Sequence, residues 1–189
     1  MACSVDLSNL IVQEAQAQGV DPGIALAVAR TESGVCQWAP NGSVITSSAG
    51  AIGVMQLEPA TAAQLGVDPT DVNQNIKGGI TYLKQLYQQY GSWDLALAAY
   101  NWGPGNLSNA IASASSIPGQ VANYVKGILG MGTVYNAGLT QMAAQQTPED
   151  SDSSSDSTDD ASALATPPVN LAACLLLGGF VVAAIWLAD

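Results

Sequence analysis

Glu32 is the residue of this chain whose surroundings point most directly to chemistry. It follows an apolar helical run, Ile24-Ala25-Leu26-Ala27-Val28, where burial would disfavour a charged carboxylate and raise its pKa. A carboxylic acid that keeps its proton near neutral pH can protonate the leaving oxygen of a glycosidic bond. Glu32 alone is a weak signal, because most glutamates at a helix end are solvated or cap the helix.

Three later segments carry side chains that suit a sugar-binding cleft. They are Gly53-Val54-Met55-Gln56, then Ala99-Tyr100-Asn101-Trp102-Gly103-Pro104, and finally Tyr124. The amides of Gln56 and Asn101 can hydrogen-bond acetamido or hydroxyl groups of a sugar. Tyr100 is as well explained as a core residue, and Trp38 and Trp102 could stack on sugar rings or be buried in the core.

The elements that must position these residues are helices. Helical periodicity broken by glycine, proline and asparagine extends to residue 146, and it predicts an all-α domain over residues 1–146. Asp6 or Ser8 is predicted to cap a first helix, and Asp21 a second. The next two predicted helices span Pro59–Gly66 and Asn73–Tyr90. A fifth is capped by Asp94, a sixth starts near Pro104, and the last spans residues 118–144. Residues 34–56 are predicted to be loop, with one short hairpin around Val44-Ile45-Thr46.

Composition excludes several classes of protein. The chain has no histidine, which removes Ser-His-Asp and Cys-His catalysis. Its three cysteines show no C-x-x-C spacing, so a Cys-only metal site is implausible, and no cofactor is expected. Cys3 and Cys36 could pair, but free thiols are favoured. Up to residue 146, eight acids against four bases give a balance of −4. Without a basic stripe, nucleic acid is a poor candidate partner.

The C-terminal part has a different composition. Residues 147–168 are rich in serine, aspartate and proline, and they predict a disordered linker. Residues 169–188 carry no charge over 20 positions, which is the length of a membrane-spanning helix. The alternative is a buried core helix. The prediction is a single-pass membrane protein whose partners include the lipid bilayer; the first ten residues lack the basic and apolar regions of a signal peptide.

Taken in order, the motifs resemble the soluble lytic transglycosylase domain of the lysozyme-like superfamily. The resemblance covers about Leu10 to Tyr124 and rests on Glu32-Ser33, on residues 48–57, 59–62 and 73–83, on residues 97–105, and on residues 117–125. It departs from the family at Gln120-Val121, where Glu-Thr is usual. The resemblance implies that peptidoglycan glycan strands are the substrate and that Glu32 is the catalytic acid. It also implies a set of substrate-binding residues: Ser33, Gly53, Met55, Gln56, Tyr100, Asn101 and Tyr124.

In that family the acid later acts as a base on the 6-hydroxyl of N-acetylmuramic acid, which yields a 1,6-anhydro product. Two-carboxylate glycosidases need a second acid; Glu58 is the only close candidate, and capping of the helix at Pro59 is its favoured role. The alternatives are a hydrolytic lysozyme or chitinase, and a catalytically silent glycan-binding membrane protein. A phage virion with a lipid membrane is one setting for the predicted anchor, with other virion or membrane proteins as partners.

Overall fold

The computed structural model describes residues 5–144, and the regular structure there is helical as predicted. The predicted linker over 147–168 and the predicted span over 169–188 lie outside the described residues. The helices are α1 (Val5–Gln18), α2 (Pro22–Ser33), α3 (Pro59–Leu65), α4 (Val72–Tyr90), α5 (Trp93–Trp102), α6 (Pro104–Ala112) and α7 (Gly119–Ala144). Within residues 5–144, no helix combines the length and the apolar character needed to cross a membrane.

Helix ends follow local capping chemistry. Asp21 caps α2 as predicted, because its carboxylate accepts a hydrogen bond from the Ile24 amide at 3.0 Å. Two predicted starts are wrong. Helix α1 begins at Val5, ahead of Asp6 and Ser8, and α5 begins at Trp93, because the extended Ser92 accepts the Leu95 amide at 3.4 Å.

Helix α2 is the centre of the core. Its buried residues are Gly23, Ile24, Ala25, Ala27, Val28 and Ala29, and the helix packs against α1 and α7. Helix α4 packs against α1 and α5 through an apolar stripe that includes Ile76, Ile80 and Leu83. The carboxyl end of α2, where Glu32 lies, is therefore held between neighbouring helices.

The segment between α2 and α3 is a compact loop with three isolated antiparallel bridges. These pair Trp38 with Val44, Thr46 with Ile52, and Ile52 with Leu57. The predicted hairpin thus appears as single bridge pairs rather than as strands. Cys36 at the start of this loop is disulfide-bonded, so the expectation of a free thiol there is wrong.

Candidate active site

A cleft of about 550 Å³ opens where the carboxyl ends of α2 and α5 face the loop that leads into α3. Four of the predicted site residues line it: Glu32, Gln56, Tyr100 and Asn101. The remaining lining residues are Ser47, Ala49, Ala51, Leu57, Glu58, Ala60, Thr61, Gln64, Tyr82, Trp102, Gly103, Pro104 and Asn106. The cleft therefore presents one half-buried acid among amides, hydroxyls and aromatic rings.

Glu32 lies in the last turn of α2, with its carboxylate only partly exposed to the cleft. Burial raises its pKa above the ordinary value of 4.5, and a hydrogen bond from the Tyr124 side chain partly offsets that rise. The Tyr124 hydroxyl donates to Oε1 of Glu32 at 2.5 Å. This leaves Oε2 as the oxygen that can carry a proton toward the cleft.

Tyr124 lies on α7 and reaches Glu32 across the core, without lining the cleft itself. Burial raises the pKa of Tyr124 well above its ordinary value of 10.0, and the negative charge of Glu32 raises it further. The phenol consequently stays protonated at any pH at which Glu32 titrates. It is a permanent donor that holds the acid in one orientation and stabilises its charged form.

Two buried amides hold the loop that passes beside Glu32. Gln37 and Asn75 are both fully buried. The side-chain carbonyl of Gln37 accepts the Val54 amide at 2.8 Å, and that of Asn75 accepts the Met55 amide at 2.8 Å. Their NH₂ groups donate to backbone carbonyls, both reaching Pro69. The loop backbone thus enters the core without unpaired polar groups.

Gly53 and Gln56 make the sharp turn within this loop. Gly53 has φ +79°, and a Cβ there would collide with the amides of Gln37 and Asn75. Gln56 also adopts a positive φ, +49°, and its amide donates to the Gly53 carbonyl at 2.8 Å. Gly53 is buried and shapes the turn, while Gln56 lines the cleft.

Ser33, Met55 and Tyr100 join the loop to the helices. The Ser33 hydroxyl bonds to the Val54 carbonyl at 2.8 Å, and the Tyr100 hydroxyl donates to the Met55 carbonyl at 2.7 Å. The Met55 side chain is fully buried against α4, where Gly79 makes room for it. Ser33 and Met55 therefore position the loop from within, and of these three only Tyr100 lines the cleft.

The far wall of the cleft comes from the end of α5 and the start of α6. Asn101 is exposed there, and the partly buried Trp102 lines the cleft beside it. Gly103 turns the chain with φ +90°, so that α6 starts directly at Pro104. Trp38, the other tryptophan considered for sugar stacking, is exposed but does not line this cleft.

Glu58 does not have the role favoured from sequence. It occupies the N-cap position of α3, but its side chain makes no capping hydrogen bond. A glutamate is a poor cap because its longer side chain fits the amides of the first turn less well than serine or aspartate. The Glu58 carboxylate is exposed and lines the same cleft as Glu32.

Sequence reasoning missed Gln37, Asn75 and Tyr82. Asn75 had a signal, because it follows the predicted start of α4 and precedes Gly78-Gly79, and two glycines inside a helix indicate close packing against backbone. Gln37 lies in a loop, where a buried amide has no distinguishing pattern. Tyr82 lines the cleft, 5.4 Å from Tyr100 between ring centroids.

The geometry suits acid–base chemistry centred on Glu32. In the part of the chain that the structure describes, no three metal-ligating side chains come together. Two acidic residues, Glu32 and Glu58, line the cleft, and none of the lining residues is lysine or arginine. Such a cleft fits an uncharged polar polymer better than a phosphate-bearing one.

Comparison with known proteins gives a consistent result. The family model described as "Transglycosylase SLT domain" matches residues 9–123. A transglycosylase of Enterobacteria phage PRD1 is 38% identical over 112 residues, which is 59% of this chain and 40% of that protein. The soluble lytic murein transglycosylase of Salmonella typhimurium is 30% identical over 160 residues, covering 72% of this chain and 24% of that protein. This chain therefore spans less than half the length of these relatives.

Solved structures of lytic transglycosylases share the fold. The 70-kDa soluble lytic transglycosylase in complex with bulgecin A has a TM-score of 0.60 and 26% identity, covering 72% of this chain and 25% of that one. An inactive glutamate-to-glutamine mutant of the lytic transglycosylase Slt from Pseudomonas aeruginosa has a TM-score of 0.58 and 26% identity, covering 70% of this chain and 24% of that one.

Proposed function

The chain belongs to the transglycosylase SLT domain family, and we propose that it is a peptidoglycan lytic transglycosylase. It would cleave the β-1,4 bond between N-acetylmuramic acid and N-acetylglucosamine and leave 1,6-anhydromuramic acid ends. The observation that carries the proposal is the Glu32 carboxyl group. It faces the cleft, its pKa is raised by burial, and the hydroxyl of Tyr124 fixes its orientation.

The proposed reaction uses this one acid twice. Glu32 first gives its proton to the glycosidic oxygen as the bond from that oxygen to the anomeric carbon breaks. The resulting carboxylate then takes the proton of the 6-hydroxyl of the muramic acid residue, whose oxygen forms the new bond to the anomeric carbon. Glu32 ends protonated and ready for another cycle, and no water enters the product.

Tyr124 has a defined part in this cycle. Its hydrogen bond to Oε1 favours the charged form of Glu32, which exists between the two proton transfers. Burial disfavours that form, and the hydrogen bond from the phenol partly offsets this effect. The opposed effects of burial and of the phenol keep both forms accessible.

The substrate-binding roles proposed from sequence divide into two groups. Gln56, Tyr100 and Asn101 line the cleft and would contact the glycan strand directly. Ser33, Gly53 and Met55 would act through the loop backbone that they hold, and Tyr124 would act through Glu32. The relatives support a glycan substrate: one is named a soluble lytic murein transglycosylase, and a solved structure bears an inactivating glutamate-to-glutamine change.

A hydrolase on the same fold is the second candidate, and the position of Glu58 favours it. A second carboxylate in the cleft could activate water for attack on the anomeric carbon. Mass spectrometry of digested murein distinguishes the two reactions. Anhydro ends support the transglycosylase, whereas reducing ends without anhydro products would refute it.

Glu32→Gln tests the catalytic assignment. We expect a loss of turnover on the order of 10²-fold or more, the scale of a positioned acid–base group. Glu14→Gln is the matched control, because Glu14 lies on α1 away from the cleft and glutamine retains the oxygen that accepts from Gln18. Equal turnover by the Glu32 and Glu14 variants would defeat the proposal and favour a binding protein.

We further propose that the enzyme is tethered to a membrane through residues 169–188 and opens the cell wall locally, as in phage entry or exit. The uncharged 20-residue run supports the tether, and relatives include a phage transglycosylase and proteins named membrane-bound lytic murein transglycosylase F. Flotation of the full chain with liposomes tests it. Leu177→Asp combined with Val181→Asp should abolish flotation. Equal flotation of the unmodified chain and this double variant would contradict the tether.

A further inference from the structure

Glu58 is a charged group in the cleft that the proposed reaction leaves unused. Its carboxylate is exposed and caps no helix. No lysine or arginine is among the residues that line the cleft, and the side chain has no salt bridge within residues 5–144. A carboxylate in this position repels anionic groups of a bound polymer and attracts cationic ones.

The neighbours of Glu58 suit a particular kind of cation. Thr61, one turn further along α3, and Tyr82 on α4 line the cleft with it. Burial raises the pKa of Tyr82, and the negative charge of Glu58 across the same cleft raises it further. A carboxylate beside an aromatic ring and a hydroxyl offers an ammonium group an ion pair, a hydrogen bond and a cation–π contact.

We propose that Glu58, with Thr61 and Tyr82, forms a subsite of the cleft that selects a primary ammonium group on the glycan substrate. The inference rests on the proposed function, because it concerns the substrate of the same cleft. Two parts of peptidoglycan can supply this chemistry. One is the amine of an N-deacetylated amino sugar, and the other is the free amine of a diamino acid in the stem peptide.

The expected preference is small and measurable. An exposed ion pair contributes little, so its loss should change selectivity by about two- to five-fold. The readout is the ratio of kcat/KM for amine-bearing substrate to that for the same substrate with its amines acetylated. This ratio should fall by that factor in Glu58→Gln, reverse in Glu58→Lys, and decline for the unmodified protein as salt rises toward 1 M. Glu14→Gln should keep the original ratio.

Two substrate pairs identify the source of the amine. One pair is peptide-free glycan, either fully N-acetylated or partly N-deacetylated. The other is peptide-bearing glycan with stem amines free or acetylated. A Glu58-dependent ratio in the first pair assigns the subsite to the sugar, and one in the second pair assigns it to the stem. A ratio that Glu58→Gln leaves unchanged in both pairs overturns the inference.

Binding separates this inference from the proposed reaction. Titration calorimetry of Glu32→Gln with both substrate pairs measures the amine preference without turnover. The same titration of Glu32→Gln combined with Glu58→Gln should show the preference lost. If the unmodified protein cleaves no murein, the proposed function fails while this titration still decides the inference. Glu58→Gln could instead lose turnover on every substrate while titration calorimetry still shows the amine preference. That result would assign Glu58 to the hydrolytic reaction and overturn the subsite.

Discussion

Replacing Asn75 with alanine should lower the free energy of unfolding by about 3–5 kcal/mol. Asn75 is fully buried and makes three short hydrogen bonds, from the Met55 amide at 2.8 Å, to the Ile52 carbonyl at 2.8 Å and to the Pro69 carbonyl at 2.9 Å. Alanine leaves the Met55 amide unpaired, whereas the Ile52 carbonyl still accepts from the Leu57 amide and the Pro69 carbonyl still accepts from Gln37. The unpaired amide costs about 1–3 kcal/mol and each of the two lost hydrogen bonds to carbonyls about 0.5–1.5 kcal/mol, and a water entering the new cavity would recover part of the sum.

That loss is large beside the total stability of a domain, about 5–15 kcal/mol. Urea unfolding followed by tryptophan fluorescence measures it at constant temperature. Asn73→Ala is the control, because Asn73 lies two residues earlier on the same helix and its side chain is exposed. It should change stability by less than about 0.5 kcal/mol. A change below about 1 kcal/mol for Asn75→Ala would refute the account of how the loop is held.

Two further variants sharpen the test. Asn75→Asp keeps the shape and the acceptor for Met55, but it turns an oxygen toward the carbonyls of Ile52 and Pro69. We expect it to be destabilised despite its near-identical volume. Gln37→Ala removes the companion amide, and its effect should not add to that of Asn75→Ala, since both side chains bond the Pro69 carbonyl and adjacent loop amides. Strict additivity would show that the two amides act separately.

Three other predictions follow from the site. Tyr124→Phe removes a hydrogen bond that lowers the pKa of Glu32, so the high-pH limb of kcat should move to higher pH; an unmoved limb would contradict the role of the phenol. Burial raises the pKa of Glu32 above 4.5, so this residue's contribution to stability is full below that pH and is lost as pH rises through the folded pKa. Melting curves of Glu32→Gln and the unmodified protein should therefore diverge with rising pH, the variant becoming relatively more stable, and a constant difference would argue against a buried acid. Gly53→Ala combines positive φ with a steric collision and should lower the free energy of unfolding in urea by more than about 3 kcal/mol. Gly42→Ala is the control, because Gly42 has φ +83° and open space around it, and it should lower that free energy by about 1 kcal/mol. Equal losses would mean that the buried amides move aside readily.

The helices could be predicted where capping and periodicity agree. Asp21 and Pro22 give the start of α2, and Gly66 gives the end of α3, because their backbone requirements are local. The start of α5 was mistaken because Ser92 and Asp94 are both good caps, and only the extended conformation of Ser92 decides between them. Local chemistry narrows such a choice to a few residues without resolving it.

The cleft was predictable in part, since the motifs identify which segments meet but not which side chains face inward. Met55 and Gln56 are adjacent, yet one is buried against α4 and the other lines the cleft. Their difference arises from the positive φ at Gly53 and Gln56, which redirects successive side chains. Gln37 and Asn75 hold this turn from positions remote in sequence, so only the folded chain shows that they act together.

The site reconciles two requirements that oppose each other. An acid with a raised pKa needs apolar surroundings, which the alanine-rich face of α2 provides, yet the loop beside it brings polar backbone into the same core. Charged side chains could satisfy that backbone, but a nearby positive charge would lower the pKa of Glu32 and a negative one would interfere with its release of a proton. Neutral amides at Gln37 and Asn75, and a phenol at Tyr124 that stays protonated, satisfy the hydrogen bonds without adding charge. On this argument, Gln37→Glu or Asn75→Asp should disturb the pH dependence of the acid as well as the stability of the loop, and Asn73→Asp, with the same change in charge on the surface, should disturb neither.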